Sequence, residues 1–352
     1  MSKRITTYQY RIKDGNASHQ KALREFSRSV NYSWNYINST TQQAWKRDRK
    51  WISKYDVDKL LTGSSKMLGL HSQTLQAISK EHADKRNKHK KCKLRWRSKK
   101  RHTDWVPFKA SGVKVVDDTV KYQGVTFRLW KSREWPEGAT LKTGSFSQDA
   151  RGRWYVNFQL EVYHIEDHEG VDEVGVDLGL KDLATCSDGT KYDRENLTKK
   201  YEDKLAMAQR ANKKGLVRTT HAKIANKRKD WAHKTTTKLV KRCSRIAVGK
   251  LNIVGLLKTK MAKSVSDAAW GLFVTILLNK AVTHGIKAQE INEAYTTQTC
   301  HACKERTGPR GLGGLGVREW ECPCGAKHDR DVNAAQNIYE KAFGRLPNRA
   351  PP

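Results

Sequence analysis

Residues 173–185, Glu-Val-Gly-Val-Asp-Leu-Gly-Leu-Lys-Asp-Leu-Ala-Thr, hold the first carboxylate whose setting could support chemistry. Apolar Val174 and Val176 lead into Asp177, and the apolar pattern resumes after Gly179. This pattern predicts a buried strand that delivers one carboxylate and bends back into a second strand. Such a carboxylate can serve as a metal ligand. A surface aspartate in an ordinary hairpin is the alternative, and this stretch alone leaves both open.

Residues 327–338, Lys-His-Asp-Arg-Asp-Val-Asn-Ala-Ala-Gln-Asn-Ile, offer a second carboxylate. If a helix begins near Asp331, this aspartate shares one face with Ala334, Ala335 and Ile338. Small alanines would let the helix lie close to a sheet and present Asp331 toward the strand of the first carboxylate. The alternative is that an aspartate here only caps the helix.

Two cysteine pairs precede that helix. Cys300 and Cys303 are separated by 18 residues from Cys322 and Cys324, a spacing that predicts a four-cysteine zinc ribbon. The intervening loop is rich in glycine and could hardly build a core, so metal would supply its stability. The second pair is C-x-C, one residue shorter than usual, which could let a neighbour such as His301 take part. We expect a structural zinc, because four thiolates leave no open position for catalysis.

The charge of the chain predicts a polyanionic partner. Its 352 residues include 69 Lys and Arg against 36 Asp and Glu, a formal net charge of +33. A nucleic acid with many phosphate contacts would offset that self-repulsion. We find no apolar run approaching the roughly 20 residues that span a bilayer and no signal peptide. We therefore expect an intracellular protein with no membrane partner, whose cysteines are metal ligands or buried thiols.

The densest basic run covers residues 85–101 and contains Trp96, which could stack on a base. A second basic segment covers residues 221–234. Solvated or disordered surface is the alternative for such runs. The predicted nucleic-acid-binding residues are Lys85, Arg86, Lys90, Lys91, Arg95, Trp96, Arg97, Lys223, Lys227 and Arg228.

The elements that must position these residues fall into two halves. In the first half, a strand at residues 5–12 and short alternating segments between 105 and 162 predict a small antiparallel barrel. Helical periodicity at residues 18–45 and 56–88 predicts helices inserted between its strands. After an acidic linker at residues 164–172, the second half begins with the strand of Asp177. Its further predicted elements are two helices at 196–239 separated near Gly215, a strand at 244–251, an amphipathic helix at 264–284 and a strand at 287–295.

Four segments of the chain resemble the TnpB family of transposon-encoded RNA-guided nucleases, which are related to the type V CRISPR effectors. The segments are residues 174–179, 295–303, 316–320 and 328–338. The resemblance implies a multi-domain α+β fold: an antiparallel wedge-like barrel with a helical recognition insert, then a RuvC, ribonuclease-H-like α/β nuclease domain with an inserted zinc ribbon. It implies a wedge at 1–12 and 103–168, an insert at 13–102, a RuvC domain at 169–298 and 326–345 with a helical lid at about 195–240, a target-nucleic-acid-binding zinc ribbon at 299–325 and a tail at 346–352.

The same resemblance implies a function. The protein would bind a guide RNA derived from the transposon end and cleave matching double-stranded DNA beside a short adjacent motif, using Mg²⁺. It would act in the prokaryotic cytoplasm, associated with the nucleoid, as a monomer or a dimer.

One position departs from the family pattern. Family members carry the second catalytic carboxylate, a Glu, where this chain has Gly249. One explanation is that the carboxylate has moved to the next strand, where Glu293 could reach past a glycine and Glu290 has the parity of the opposite face. The other is a nuclease-inactive, RNA-guided DNA-binding repressor. We favour the first, with Asp177, Glu293 and Asp331 as catalytic residues and Mg²⁺ ligands; a transposase or ribonuclease on the same fold is a third, less favoured reading.

Overall fold

The computed structural model describes residues 3–13, 17–89, 94–98, 104–163, 170–193, 196–258, 262–310 and 313–344. The chain divides into two compact units, Met1–Tyr163 and His164–Pro352. The predicted acidic linker at 164–172 lies mostly outside the described residues, and the first strand of the second unit begins at Asp172.

The first unit is built on a seven-stranded antiparallel sheet. Its strands are β1 (Lys3–Ile12), β2 (Trp105–Lys109), β3 (Lys114–Val116), β4 (Thr119–Tyr122), β5 (Val125–Trp130), β6 (Thr140–Gln148) and β7 (Trp154–Tyr163), in the order β2-β6-β7-β1-β5-β4-β3. The N-terminal strand joins this sheet, as predicted, and pairs with both β5 and β7. Strand β2 is missing from the sequence interpretation, because its proline interrupts the alternating pattern.

Aromatic side chains form the core of this sheet. Phe108, Phe127, Phe146 and Phe158 are fully buried, and the ring centroids of Phe108 and Phe146 lie 5.3 Å apart. Buried residues from the edge strand β2 and from β4 meet in this cluster, so the sheet curls around it. Among the described strands no ladder joins the two edges, β2 and β3, so the predicted barrel is seen as a curled sheet.

Helices lie between β1 and β2 in the chain, as the sequence predicts, but the described residues form four of them where two were predicted. They are α1 (Ala17–Asp48), α2 (Lys54–Leu60), α3 (Ser65–Leu68) and α4 (Ser72–Lys88). The single helix predicted for residues 56–88 is wrong, because it is broken twice. Ser53 and Asp56 form a reciprocal capping box that starts α2, and Gly69, with φ of 60°, ends α3.

The second unit contains a five-stranded mixed sheet. Its strands are β8 (Asp172–Leu178), β9 (Ala184–Cys186), β10 (Lys191–Tyr192), β11 (Cys243–Lys250) and β12 (Lys287–Asn292), in the order β10-β9-β8-β11-β12. The first three form an antiparallel meander, whereas β11 runs parallel to both β8 and β12. The carboxyl ends of β8, β11 and β12 therefore meet at one edge of the sheet.

The helices of this unit are α5 (Leu197–Lys200), α6 (Glu202–Arg210), α7 (Lys214–Arg242), α8 (Ile253–Leu256), α9 (Ala262–Ala268), α10 (Trp270–Thr283) and α11 (Arg330–Phe343). A short hairpin of β13 (Glu319–Glu321) and β14 (Lys327–Asp329) precedes α11. The predicted separation near Gly215 falls at residues 211–213, where Asn212 has φ of 50°, but the short helix α5 makes three helices where two were predicted. The helix predicted for 264–284 is interrupted at Ala269, with φ of 52°.

Helices cover both faces of this sheet. Val174, Val176 and Ile246 pack with residues of α7 and α10 on one face, whereas Ala247 packs with α11 on the other. Side chains alternate between faces along a strand, so Gly175 and Asp177 point to the α11 side. A β-carbon at Gly175 would overlap the carbonyl oxygen of Ala335. The small residues at this contact therefore bring α11 close to β8, as the alanines predict.

The sequence interpretation found no apolar run long enough to span a bilayer, but one stretch of this unit meets that criterion. Residues Ala262–Thr283 are long and apolar enough, by length and composition alone, to cross a membrane. Half of the apolar window is buried inside the protein, and Phe273, Leu277 and Ala281 belong to the core of the sheet. A buried core helix passes the same test, so this finding is weak evidence for a membrane span.

Candidate active site

A cleft of about 380 Å³ opens at the edge where β8, β11 and β12 end. Its lining includes Asp177, Glu293 and Asp331, the three carboxylates singled out from the sequence. Trp270 and Arg318 line it as well. The fold thus brings together three acidic side chains that are separated by up to 154 positions in the chain.

Asp177 lies one residue before the end of β8, where it is buried opposite Thr185 of β9. Burial raises its pKa to about 8, and repulsion from Glu293 and Asp331 contributes in the same direction. An acid whose charge is opposed by its neighbours is a common feature of metal and catalytic sites. A bound cation would reverse that repulsion.

Glu293 follows the last residue of β12 and leans over β11. Gly249 of β11 pairs with Ile291, two residues before Glu293. A β-carbon built on Gly249 would lie 2.7 Å from the Glu293 Oε2 atom. Its carboxylate therefore occupies the space above Gly249 that a side chain at 249 would need.

The Glu293 Oε2 atom is buried and has no hydrogen-bond partner. Burial raises the Glu293 pKa to about 7. An unpaired buried carboxylate oxygen is costly unless a cation or a proton satisfies it. Glu290, by contrast, is exposed within β12 and is not among the residues lining the cleft.

Asp329 and Asp331 have different roles, one in capping α11 and one in lining the cleft, which the sequence alone did not distinguish. The Asp329 side chain caps α11 by accepting hydrogen bonds from the amides of Asp331 and Val332, at 2.9 and 3.1 Å. Capping therefore falls to Asp329, and the Asp331 carboxylate is left to line the cleft. Arg318 Nη1 lies 3.0 Å from one of its oxygens, and Arg330 Nε lies 3.3 Å from the other.

Arg318 is a functional candidate that the sequence interpretation missed. It lies in the zinc-ribbon segment, yet its guanidinium reaches the cleft carboxylate of Asp331. The sequence offered one indication of this role: Arg318 lies within residues 316–320, one of the segments that carry the family resemblance. A cation here can hold Asp331 in place and favour an anionic substrate.

The four predicted zinc ligands converge. The Sγ atoms of Cys300, Cys303, Cys322 and Cys324 all lie within 4.8 Å of one another. The Sγ atoms of Cys300 and Cys324 lie 3.8 Å apart, and those of Cys303 and Cys322 lie 3.6 Å apart. Tetrahedral zinc with bonds of about 2.3 Å needs sulfur atoms about 3.8 Å apart, so the donor set fits this metal.

Histidine approaches the cluster from a different position than the one considered above. His328 Nε2 lies 3.1 Å from Cys300 Sγ. The Nδ1 atom of His301 is buried without a hydrogen-bond partner, and its ring packs edge-on against His328. Hence the imidazole that contacts a sulfur is that of His328.

Two asparagines tie the segment that begins the cysteine cluster to α11. The side-chain amides of Asn333 and Asn337, one helical turn apart, donate to the carbonyls of Thr296 and Thr299. The amide of His301 in turn donates to Asn333 Oδ1 at 2.9 Å. The helix that presents Asp331 is therefore bonded to the start of the cysteine cluster.

The predicted nucleic-acid-binding residues divide by exposure. Arg95, Trp96 and Lys223 are exposed, Trp96 to 49%. Lys85 and Lys227 are half-buried. Lys90 and Lys91 lie outside the described residues.

Three of the predicted arginines are engaged within the protein. Arg86 is 7% exposed, stacks over the ring of Trp51 and donates to the Ile52 carbonyl. Arg97 donates to Asn31 at 2.7 Å, and Arg228 forms an ion pair with the buried Asp267. These contacts give the three arginines structural roles, which makes them weaker candidates for phosphate contact than Arg95 or Lys223.

Two family models match consecutive parts of the chain. Residues 157–260 match the OrfB_IS605 family, described as "Probable transposase", and residues 270–338 match the Cas12f1-like TNB domain. The matches begin within β7 and end within α11, with residues 261–269 left between them, and they include the residues that line the cleft and the four cysteines.

Several curated proteins are similar to this chain. A Streptomyces pristinaespiralis protein, provisionally named an RNA-guided DNA endonuclease, is 36% identical over 221 residues, or 59% of this chain and 54% of that protein. An Escherichia coli K12 protein with a similar provisional name is 28% identical, over 56% of each. A TnpB-like protein of Acanthamoeba polyphaga mimivirus is 26% identical, over 56% of this chain and 43% of the viral protein. The matches thus span about half the length of these relatives.

A solved structure of a Cas12f1 protein in complex with a single-guide RNA and target DNA has a similar fold. The similarity covers 96% of this chain and 99% of that protein, with a TM-score of 0.60 and 11% sequence identity. At this identity the similarity concerns the fold alone.

Proposed function

This chain belongs to the TnpB family, and on that premise we propose that it is an RNA-guided DNA endonuclease. It binds a transposon-derived guide RNA and cleaves matching double-stranded DNA beside a short adjacent motif. The observation that carries this proposal is the position of Glu293, whose unpaired buried oxygen lies over Gly249 in the cleft of Asp177 and Asp331.

The domain assignment belongs to the same proposal. The curled sheet of the first unit is the wedge, and helices α1 to α4 are the recognition insert. The mixed sheet of the second unit, with its antiparallel meander beside two parallel strands, is the RuvC domain. Helices α5 to α7 form the lid, and the cysteine cluster is a structural zinc ribbon.

The three cleft carboxylates would hold Mg²⁺, which prefers oxygen ligands. Divalent ions bound there would activate water and stabilise the leaving 3′ oxygen during in-line attack on a DNA phosphate. Asp177 and Glu293 must first lose their protons, because burial holds their pKa values above the ordinary range. Arg318 and Arg330 hold both oxygens of Asp331 and so fix its orientation.

Sequence choice in this mechanism comes from base pairing between guide and target. The protein contributes backbone contacts, for which the +33 charge is suited. Among the predicted nucleic-acid-binding residues that the structure describes, Arg95, Trp96 and Lys223 are exposed and so accessible for such contacts.

The test is Mg²⁺-dependent cleavage of a matched plasmid by the protein purified with its own RNA. We expect the parent to cut and Glu293→Ala to lose cutting while still binding matched duplex. Glu290→Ala is the matched control, because this glutamate lies on the same strand but is exposed and outside the cleft lining. Equal cutting by the parent and Glu293→Ala would contradict the assignment.

A nuclease-inactive repressor is the second candidate, and the glycine at 249 favours it. In that case the parent would bind matched duplex tightly and never cut, with either Mg²⁺ or Mn²⁺. Joining of DNA strands by the parent would instead favour a transposase.

A further inference from the structure

Each sulfur of the cysteine cluster is approached by a group that can donate a hydrogen bond. Backbone amides of Glu305 and Ala326 approach Cys303 and Cys324, respectively. Cys322 is approached by the hydroxyl of Thr307 at 3.1 Å and by a backbone amide. Such donors offset the negative charge that thiolates accumulate when they bind a metal.

For Cys300, the approaching group is an imidazole. His328 Nε2 lies 3.1 Å from Cys300 Sγ, and both side chains are buried. The ring is held between two aromatic neighbours: Trp320, at 4.5 Å between centroids, and His301, at 5.7 Å. Its orientation toward the sulfur is therefore set by packing.

The four cysteine sulfurs already supply the complete tetrahedral donor set of a structural zinc. A metal-bound cysteine is a thiolate, which can only accept a hydrogen bond. The imidazole must then be the donor in this contact, with its proton on Nε2.

We infer that His328 donates its Nε2 proton to the metal-bound thiolate of Cys300 and thereby couples the zinc site to the cleft carboxylate Asp331. His328 acts here as a positioning residue. The inference rests on the proposed zinc occupancy of the cluster, and it goes beyond that proposal by adding a residue that completes the site without being a ligand.

The path from His328 to Asp331 is short. His328 is the middle residue of β14, and the next residue, Asp329, caps α11 through the amides of Asp331 and Val332. On the opposite strand, Trp320 pairs with His328. Loss of the contact with Cys300 would therefore loosen the hairpin that carries the helix cap.

The first measurement replaces zinc with Co²⁺, whose absorption reports the ligand set, in the full-length parent, His328→Ala and His328→Gln. We expect all three to have the same four-thiolate spectrum, because His328 is not a ligand. A spectrum in His328→Ala that indicates a lost nitrogen ligand would overturn the inference. If the parent binds no Co²⁺ at the cysteines, the proposed zinc occupancy itself fails.

The second measurement is zinc affinity by competition with a chelator. We expect His328→Ala to lose roughly 10- to 100-fold in affinity, the usual cost of removing such a supporting group. His328→Gln keeps an N–H near the Nε2 position and should recover most of the loss. His301→Phe is the matched control and should bind zinc like the parent, since it keeps an aromatic ring against His328 and removes only ring nitrogens, of which Nδ1 makes no hydrogen bond. Unchanged affinity in His328→Ala would overturn the inference.

The third measurement tests the coupling between the zinc site and Asp331 by amide hydrogen exchange of the zinc-loaded proteins. The amides of Asp331 and Val332 should exchange faster in His328→Ala than in the parent or His328→Gln, because the cap would be loosened. Equal exchange in all three would show that the zinc site and the cap are independent.

Discussion

On the proposed function, the position of Glu293 accounts for the glycine at 249, where the resemblance to the TnpB family implies a catalytic glutamate. The coordination of a metal ion depends on the positions of the carboxylate oxygens, whichever strand bears them. Glu293 extends from the neighbouring strand into the space over Gly249, and the absence of a β-carbon there is what makes room. On the proposed function, the two positions would therefore be alternative sources of one carboxylate.

This interpretation predicts the outcome of an exchange. Glu293→Ala should lower cleavage by roughly 100-fold or more, because even a small misplacement at a catalytic centre costs about that much. The double variant Gly249→Glu, Glu293→Ala should regain part of that loss. Single-turnover cleavage of matched duplex provides the measurement.

Gly249→Glu alone is the informative control for this exchange. Its β-carbon would lie 2.7 Å from the Glu293 Oε2 atom, so one carboxylate must move and two would compete for one space. We expect it to cut less well than the parent. A double variant no more active than Glu293→Ala would argue against the space over Gly249 as a metal site.

The raised carboxyl pKa values predict a pH-dependent metal affinity. Metal binds the ionised forms, whereas Asp177 and Glu293, with pKa values of about 8 and about 7, are protonated at lower pH. Mg²⁺ affinity should therefore rise as the pH increases from about 6 to about 8, and binding should release protons. Calorimetric titration in two buffers of different ionisation enthalpy measures both quantities.

Asp177→Asn is the control for the pH dependence, since it removes one titrating carboxyl. It should bind Mg²⁺ more weakly and release fewer protons. Affinity that is independent of pH in the parent would contradict the role given to these two acids.

At the level of elements, the contact between β8 and α11 sets the distance between Asp177 and Asp331. Gly175 lies two residues before Asp177 on the same face of β8, and it meets the backbone of α11 at Ala335. Asp331 is one helical turn earlier on α11, so a shift of the helix moves both carboxylates relative to each other. The alanines of this helix thus allow the close approach that sets the geometry of the candidate active site.

Gly175→Ala should disturb this contact. The added methyl group would overlap the Ala335 carbonyl, which is backbone and cannot rotate away. We expect destabilisation of about 1–3 kcal/mol, as for other overpacked cores, together with reduced cleavage. Chemical denaturation and the cleavage assay measure the two effects.

Gly215→Ala is the matched control, because its β-carbon would meet open space in the first turn of α7. It should leave cleavage unchanged and stabilise slightly, by up to about 1 kcal/mol. A Gly175→Ala protein as stable and active as Gly215→Ala would show that α11 tolerates displacement.

Several element boundaries were predictable and others were not. Strands with regular alternation, such as β7, and the capped helix α11 follow their sequence patterns closely. The break at Ala269 was missed because an alanine with positive φ leaves no mark in the sequence. Tertiary packing imposes that conformation, at a cost that local propensity would oppose.

At the scale of the whole molecule, the charge of +33 predicts that nucleic-acid affinity depends strongly on salt. The engaged and exposed cations should contribute differently. Lys223→Gln should reduce the slope of log affinity against log salt by about 1, because Lys223 is exposed and is proposed to contact a phosphate. Binding of the cognate RNA across a series of salt concentrations measures this slope.

Arg86→Gln is the comparison. Arg86 is buried on Trp51 and bonded to Ile52, so its loss should leave the slope unchanged and lower the melting temperature. A slope changed by Arg86→Gln to the same extent as by Lys223→Gln would show that burial does not separate these residues.

The sequence by itself determined the chemistry available to this protein. The expectation of a polyanionic partner rests on charge, the proposed zinc ligands on cysteine spacing, and the proposed metal ligands Asp177 and Asp331 on their place in a strand and a helix. These properties are local or additive, so they can be read along the chain. The missing glutamate at 249 was equally visible.

Only the tertiary structure decided how those residues combine. That Glu293 fills the space over Gly249 depends on the register of two parallel strands, and that Arg318 reaches Asp331 depends on how the ribbon folds against α11. Likewise, His328 rather than His301 meets Cys300, and Arg86 is buried whereas Lys223 is exposed. Contacts between distant segments depend on packing of the whole unit, which no single stretch of sequence encodes.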